Sequence, residues 1–107
     1  SMKAAIDTLV AHAGEKIAVL GSMAELGEES SNLHQEIGDY ARQSSVNQVY
    51  TIGEDAKNYQ GEHFADIESL HHHLSEHHSG ATILIKGSRL MQLDKLVNLF
   101  AKTTNSA

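Results

Sequence analysis

IAVLGSMAELGEES, residues 17–30, runs from a short apolar segment into Gly21, crosses five residues to Gly27 and continues into Glu28 and Glu29. A strand entering a glycine turn and then a helix commonly cradles phosphate, because the helix offers free N–H groups and a positive dipole end. The details here oppose that use. A dinucleotide fingerprint needs G-x-G-x-x-G, and a P-loop needs G-x-x-x-x-G-K-[ST]. The two glycines stand too far apart for either, and Glu28-Glu29 occupies the Lys-Ser/Thr position. Two carboxylates there repel a triphosphate by several kcal/mol where water is scarce. The loop is not a self-sufficient nucleotide site.

Within this stretch and just before it, KIAVLG (16–21) is a nearly continuous apolar run, the pattern of a strand covered on both faces. Upstream, Met2, Ile6, Leu9, Val10 and Ala13 recur at helical spacing, with Ser1 placed to cap the helix and Gly14 to stop it. Downstream, Leu33, Ile37, Tyr40 and Ala41 stripe a helix from about Ser31 to Ser44. Glu28, Glu29 and Ser30 form its entry turn, where the helix dipole favours negative charge. QVYTIG (48–53) reads as a second strand, EDAKNYQ (54–60) as at most two helical turns, and EHFAD (62–66) as a short third strand. Asp66 caps a helix whose Ile67, Leu70 and Leu74 face inward, and Gly80 ends it. ATILIKG (81–87) has the strongest strand pattern of all. Leu90, Leu93, Leu96, Val97 and Phe100 stripe a closing helix, and the tail frays from Lys102.

Strand and helix alternate, and short crossovers that each hold a helix demand parallel pairing. The expected architecture is α/β: an open, three-layer sandwich of four or so mainly parallel strands flanked by helices. It forms a single domain over residues 1–107.

A net charge of −6 with only eight Lys and Arg argues against nucleic acid, whose binders show a basic face. No apolar run approaches the ~20 residues that cross a bilayer. No basic start leads into a long apolar stretch with a cleavage site, so nothing suggests export. Without cysteine there is no disulfide, thiolate metal site or cysteine nucleophile. Ser1-Met2 opens directly into helical sequence, as in a piece of something longer.

Three strands end alike: Leu20-Gly21-Ser22, Ile52-Gly53-Glu54 and Lys86-Gly87-Ser88. In a parallel sheet all carboxyl ends share one edge, where open α/β folds bind ligands. One such glycine means only that a strand has ended; three, flanked by Ser22, Glu25, Ser88 and Arg89, point to a ligand-facing rim. Glu25 and Arg89 together suit a small zwitterion, carboxylate for ammonium and guanidinium for carboxylate. The same two side chains are equally suited to pairing with each other.

VLGSMAELGEESSNLHQEIGDYA (19–41), HFAD (63–66) and ILIKGSRLMQLDKLV (83–97) resemble the C-terminal domain of the Mur ligases, a likeness running from Met2 to about Phe100. Its two blocks, G-x-M-x-E-L-G and K-G-S-R, are specific in combination and order. The resemblance implies a Rossmann-like C-terminal domain of a three-domain, ATP-dependent amide-forming ligase of peptidoglycan precursor synthesis, working in the cytoplasm. It implies that ATP and magnesium are held mainly by a central P-loop domain, and that none is expected on this segment. ATP would phosphorylate the carboxylate of UDP-N-acetylmuramoyl-tripeptide, and the amine of D-alanyl-D-alanine would displace the phosphate. Ser22, Met23, Glu25 and Leu26, with Lys86, Gly87, Ser88 and Arg89, then take the substrate-binding and closure role, and no catalytic residue lies on this segment. The family usually has Asp where Ser22 stands, which puts any charge role there in doubt. The family's D-x-Y-N-A-N-P hinge would lie just before Ser1.

HHHLSEHH (71–78) invites a metal reading, since His73 and His77 share a helix face near Glu76. It lacks the H-E-x-x-H arrangement and any evident further ligand, so a solvated helix face is the plainer account and no metal is assigned. His34 stands beside its helix's apolar stripe, as a packing or capping residue would. Lys86 ends a strand and is able to snorkel outward. A Ser-His-Asp hydrolase fails for want of G-x-S-x-G. A receiver domain fails because Gly21-Ser22 and Gly53-Glu54 supply neither its paired acids nor its acceptor Asp. The alternative from another class is a stand-alone flavodoxin-like module that binds a small ligand or regulates.

Overall fold

The computed structural model describes residues 1–24, 26–88 and 91–105, with side chains through Ala101. Four helices and four strands follow in chain order: α1 (Met2–Val10), β1 (Lys16–Gly21), α2 (Ser30–Gln43), β2 (Gln48–Ile52), β3 (Glu62–Phe64), α3 (Ile67–His77), β4 (Thr82–Lys86) and α4 (Asp94–Asn105). Short 3-10 segments at Gly27–Glu29 and Asp55–Tyr59 fill two of the connections. The sheet order is β3-β2-β1-β4, and every pairing is parallel. The alternation of apolar strands with helices foretold this architecture.

Local chemistry sets the helix starts. Ser1 accepts the Ala4 N–H at 3.2 Å to open α1. Asp66 accepts the Ser69 N–H at 2.7 Å to open α3, a bond that holds its carboxyl below the ordinary carboxylate value. Each saves a helix-end donor from going unpaired.

The sheet divides two cores. On one face Ala18 and Leu20 of β1 meet Met2, Ile6 and Leu9 of α1, Ile37 and Ala41 of α2, and Ala56 and Tyr59. On the other, Ile17 and Val19 of β1 with Tyr50 and Ile52 of β2 meet Leu70 and Leu74 of α3, and Leu93 and Leu96 at and within α4. Successive β1 side chains thus point to opposite cores, which is why the strand is apolar throughout rather than alternating.

Two expectations shift. The buried face of α2 runs through His34, Ile37, Gly38 and Ala41, while Leu33 is 37 % exposed. Val97 likewise turns outward from α4 at 51 % exposure, and Leu90 lies outside the described residues. β4, the strand with the strongest sequence pattern, lies at an edge of the sheet, half-buried along Thr82–Ile85.

Candidate functional site

The chain leaves β1 toward β2 and β3 on one side and returns through α3 to β4 on the other. The carboxyl ends of β1 and β4 therefore flank the switch point, where the connections depart in opposite directions and ligands of open α/β sheets gather. Gly21-Ser22 and Gly87-Ser88 stand there, and they touch. The Ser88 N–H donates to the Ser22 carbonyl at 2.9 Å, extending the β1–β4 ladder past the strand ends. A Cβ on Gly87 would lie 2.9 Å from the Gly21 Cα, so only glycine permits the approach. Gly53, with φ +104°, closes the third side: a Cβ there would sit 2.5 Å from Ser22 Oγ and 2.7 Å from Met91 Cε. Three glycine-ended strands thus meet in one packed rim.

Side chains from beneath fasten the first turn. The Tyr59 hydroxyl donates to the Gly21 carbonyl at 2.9 Å, and burial holds this phenol far above its ordinary pKa, so it remains a donor. Ser22 Oγ accepts the Ala56 N–H at 3.2 Å, serving the open end of the 3-10 segment Asp55–Tyr59. The Met23 N–H donates to His34 Nε2 at 3.0 Å. The N–H groups of Met23 and Ser88 are thereby committed inside the protein, which removes two of the donors that a phosphate cradle would present.

The side chains singled out from the sequence take distinct places. Ser22, Met23 and Leu26 are half-buried, and Met23 packs on the first core. Lys86 is exposed at the end of β4, and Gly87 and Ser88 are half-buried. Glu25 and Arg89 lie outside the described residues, as does any contact between them. Two clefts open beside the rim. One, of about 530 Å³, is bounded by Ile85, Lys86, Gly87, Ser88, Asp94 and Val97. The other, of about 330 Å³, lies by Gly53, Asp66, Glu68, Met91 and Lys95. Met91 borders the second, and no pattern in the sequence distinguished it. Tyr59 was equally silent, being one aromatic residue in a short polar turn.

The histidine run is occupied elsewhere. Tyr50 Oη lies 3.0 Å from His73 Nε2 and also meets His78 Nε2, while His78 Nδ1 is 3.0 Å from Glu15. His71 meets Phe100 edge-on, with ring centroids 4.8 Å apart. Among the described residues no group of three or more His, Asp or Glu is arranged to hold a metal ion. No helix among them is long and apolar enough to cross a membrane.

The family described as "Mur ligase, glutamate ligase domain" matches residues 1–89. The UDP-N-acetylmuramoyl-tripeptide–D-alanyl-D-alanine ligase of Buchnera aphidicola from Acyrthosiphon pisum is 38 % identical over 105 residues, covering 91 % of this chain and 23 % of that one. The enzyme of the same name from Escherichia coli K12 is 34 % identical over 105 residues, with the same coverage of 91 % and 23 %. In three dimensions the chain is similar to the MurF ligase of Thermotoga maritima solved in complex with ADP. The TM-score is 0.84 at 27 % identity, covering 94 % of this chain and 25 % of that one. The chain spans about a quarter of the length of the relatives it matches.

Proposed function

The chain belongs to the Mur ligase family, and we propose that it is the C-terminal, substrate-closing domain of a three-domain ligase that joins D-alanyl-D-alanine to UDP-N-acetylmuramoyl-tripeptide in the cytoplasm. The observation that carries this reading is the meeting of Gly21-Ser22 with Gly87-Ser88 at the switch point of a parallel sheet. It brings the starts of both family blocks to one rim. The chain continues from that rim into Met23, Glu25 and Leu26 on one side and Arg89 on the other.

In this reading the rim receives the dipeptide. Its terminal carboxylate is recognised by the Arg89 guanidinium, which matches a carboxylate with two parallel hydrogen bonds, and Glu25 offers a charge for its ammonium. Ser22 acts through its backbone and the Ala56 N–H rather than as a charge, so the missing family carboxylate costs the turn none of its support. The rim does not suit ATP, because its Met23 and Ser88 N–H groups face inward and Glu28-Glu29 follows. In this reading ATP and magnesium are held mainly by the central domain of the ligase, and closure of this domain brings the dipeptide amine to the activated tripeptide carboxylate and excludes water.

The test is a reconstitution. Joined behind the muramoyl-peptide and P-loop domains of a D-alanyl-D-alanine-adding ligase, this chain supports dipeptide-dependent phosphate release; alone, it gives none. Robust turnover by the 107-residue chain alone, or none by the joined protein, overturns the proposal.

A further inference from the structure

His34 is fully buried in α2, and apart from the tyrosines only it and Thr51 carry a polar side chain among the buried described residues. A buried imidazole without partners would cost several kcal/mol, so its partners matter. Nε2 has one, and Nδ1 has two, the Ser30 carbonyl and, farther off at 3.2 Å, the Ser30 hydroxyl. Nε2 receives the Met23 N–H at 3.0 Å and so carries no proton. Nδ1 lies 2.6 Å from the Ser30 carbonyl, an acceptor only, and so carries the proton. The two backbone partners thus select the neutral Nδ1–H tautomer.

The ring packs against Tyr59, centroids 4.8 Å apart, and Tyr59 holds the Gly21 carbonyl. Together the two rings grip both ends of the three-residue turn, Tyr59 at Gly21 and His34 at Met23. Ser22 between them is tied to Ala56 and Ser88. Four hydrogen bonds thus hold three residues, a density a solvent-exposed turn does not need. The bond from the Met23 N–H to His34 sets the direction in which the chain leaves β1.

We propose that His34 is a positioning residue for the ligase reaction: its unprotonated Nε2 latches the Met23 N–H and so fixes the backbone of Met23 at the rim where the dipeptide binds. The role rests on the function proposed above. It acts through the backbone, and the imidazole itself touches no substrate.

Two measurements test it. In the 107-residue chain with 15N-labelled histidine, long-range proton–nitrogen spectra show His34 protonated at Nδ1, with scalar coupling from the Met23 amide to Nε2. A His34 protonated at Nε2 overturns the latch outright. In the ligase carrying this domain, His34→Leu fills the space without an acceptor, whereas His34→Gln returns an oxygen near the Nε2 position. Losing one buried hydrogen bond corresponds to roughly tenfold. The KM for D-alanyl-D-alanine should therefore rise about tenfold in His34→Leu and stay within about threefold in His34→Gln, with the KM for ATP unmoved in both. A merely structural role would reduce the active fraction, and hence kcat, without this split. If His34→Leu does not fold, the tautomer and the His34→Gln KM decide together. An unchanged dipeptide KM in a folded His34→Leu refutes the latch when Arg89→Ala still raises it. If neither substitution raises it, the dipeptide reading itself has failed.

Discussion

Replacing Gly87 by alanine places a methyl group between the two segments of the rim. Its carbon would stand 2.9 Å from the Gly21 Cα, 2.9 Å from Leu93 Cδ1 and 3.1 Å from the Gly21 carbonyl carbon. Carbon atoms rest at about 3.5–4.0 Å, so three contacts overlap by about half an ångström each. Leu93 Cδ1 is the end of a flexible side chain and yields more readily than the Gly21 backbone. β1 is held in register between β2 and β4, and Tyr59 ties the Gly21 carbonyl. Overpacking of this kind costs about 1–3 kcal/mol, and the entropy that alanine removes from the unfolded chain returns only about 0.4–1 kcal/mol. The steric effect wins, leaving a net loss of about 1–2 kcal/mol. With a urea m-value of about 1–3 kcal/mol/M, the unfolding midpoint of Gly87→Ala should fall by roughly 0.3–2 M at unchanged slope. A midpoint equal to or above that of the parent leaves only the entropic gain acting, and refutes the contact between the two segments.

Tyr59→Phe keeps the ring against His34 but strands the buried Gly21 carbonyl, and should lower stability by about 1–3 kcal/mol in the same urea titration. An unaltered midpoint contradicts that bond. The Ala56 N–H is shared between Ser22 Oγ and the Gly53 carbonyl, each at 3.2 Å, so Ser22→Ala removes one branch and should cost about 0.5–1 kcal/mol, whereas Ser22→Asp, restoring the usual family residue, should recover it. Equal stabilities for the two variants would show that the side-chain oxygen is not used. Burial, with the Lys57 charge adding to it, holds the His63 imidazole below its ordinary value of 6.5. The unfolded chain therefore binds that proton more readily, so the contribution is full above about pH 6.5 and is lost as pH falls through the depressed folded value. His63→Gln should show a smaller drop in Tm between about pH 7 and pH 5 than the parent, and an identical drop removes His63 as the cause.

How far the sequence spoke for itself follows from which forces are local. Capping is local, and Ser1 and Asp66 sit where their spacing to the first helical turn placed them. Parallel pairing followed from connection length, and the convergence of the glycine-ended strands followed from parallel pairing. What stayed hidden depends on neighbours distant in sequence. KIAVLG and ATILIKG look alike as strings, yet one lies at the centre of the sheet and the other at its edge, because an apolar run does not reveal how many strands flank it. The stripe of α2 was placed one position off because histidine counts as polar, and the Met23 N–H that makes its burial tolerable lies 11 residues earlier. Tyr59 sits in a 3-10 turn of five residues, too short for any periodicity to show which way its ring points. The rim's shape was legible in its glycines; the side chains that hold it were not.

The central claim is that this rim grips the dipeptide, and Arg89 is the residue most exposed to refutation. In the ligase carrying this domain, the steady-state KM for D-alanyl-D-alanine and for ATP should be measured with Arg89→Ala. A charged hydrogen bond to a carboxylate contributes about 1.5–3 kcal/mol, so the dipeptide KM should rise roughly 10- to 100-fold while the ATP value holds. An unchanged dipeptide KM, or an equal rise for both substrates, contradicts the claim.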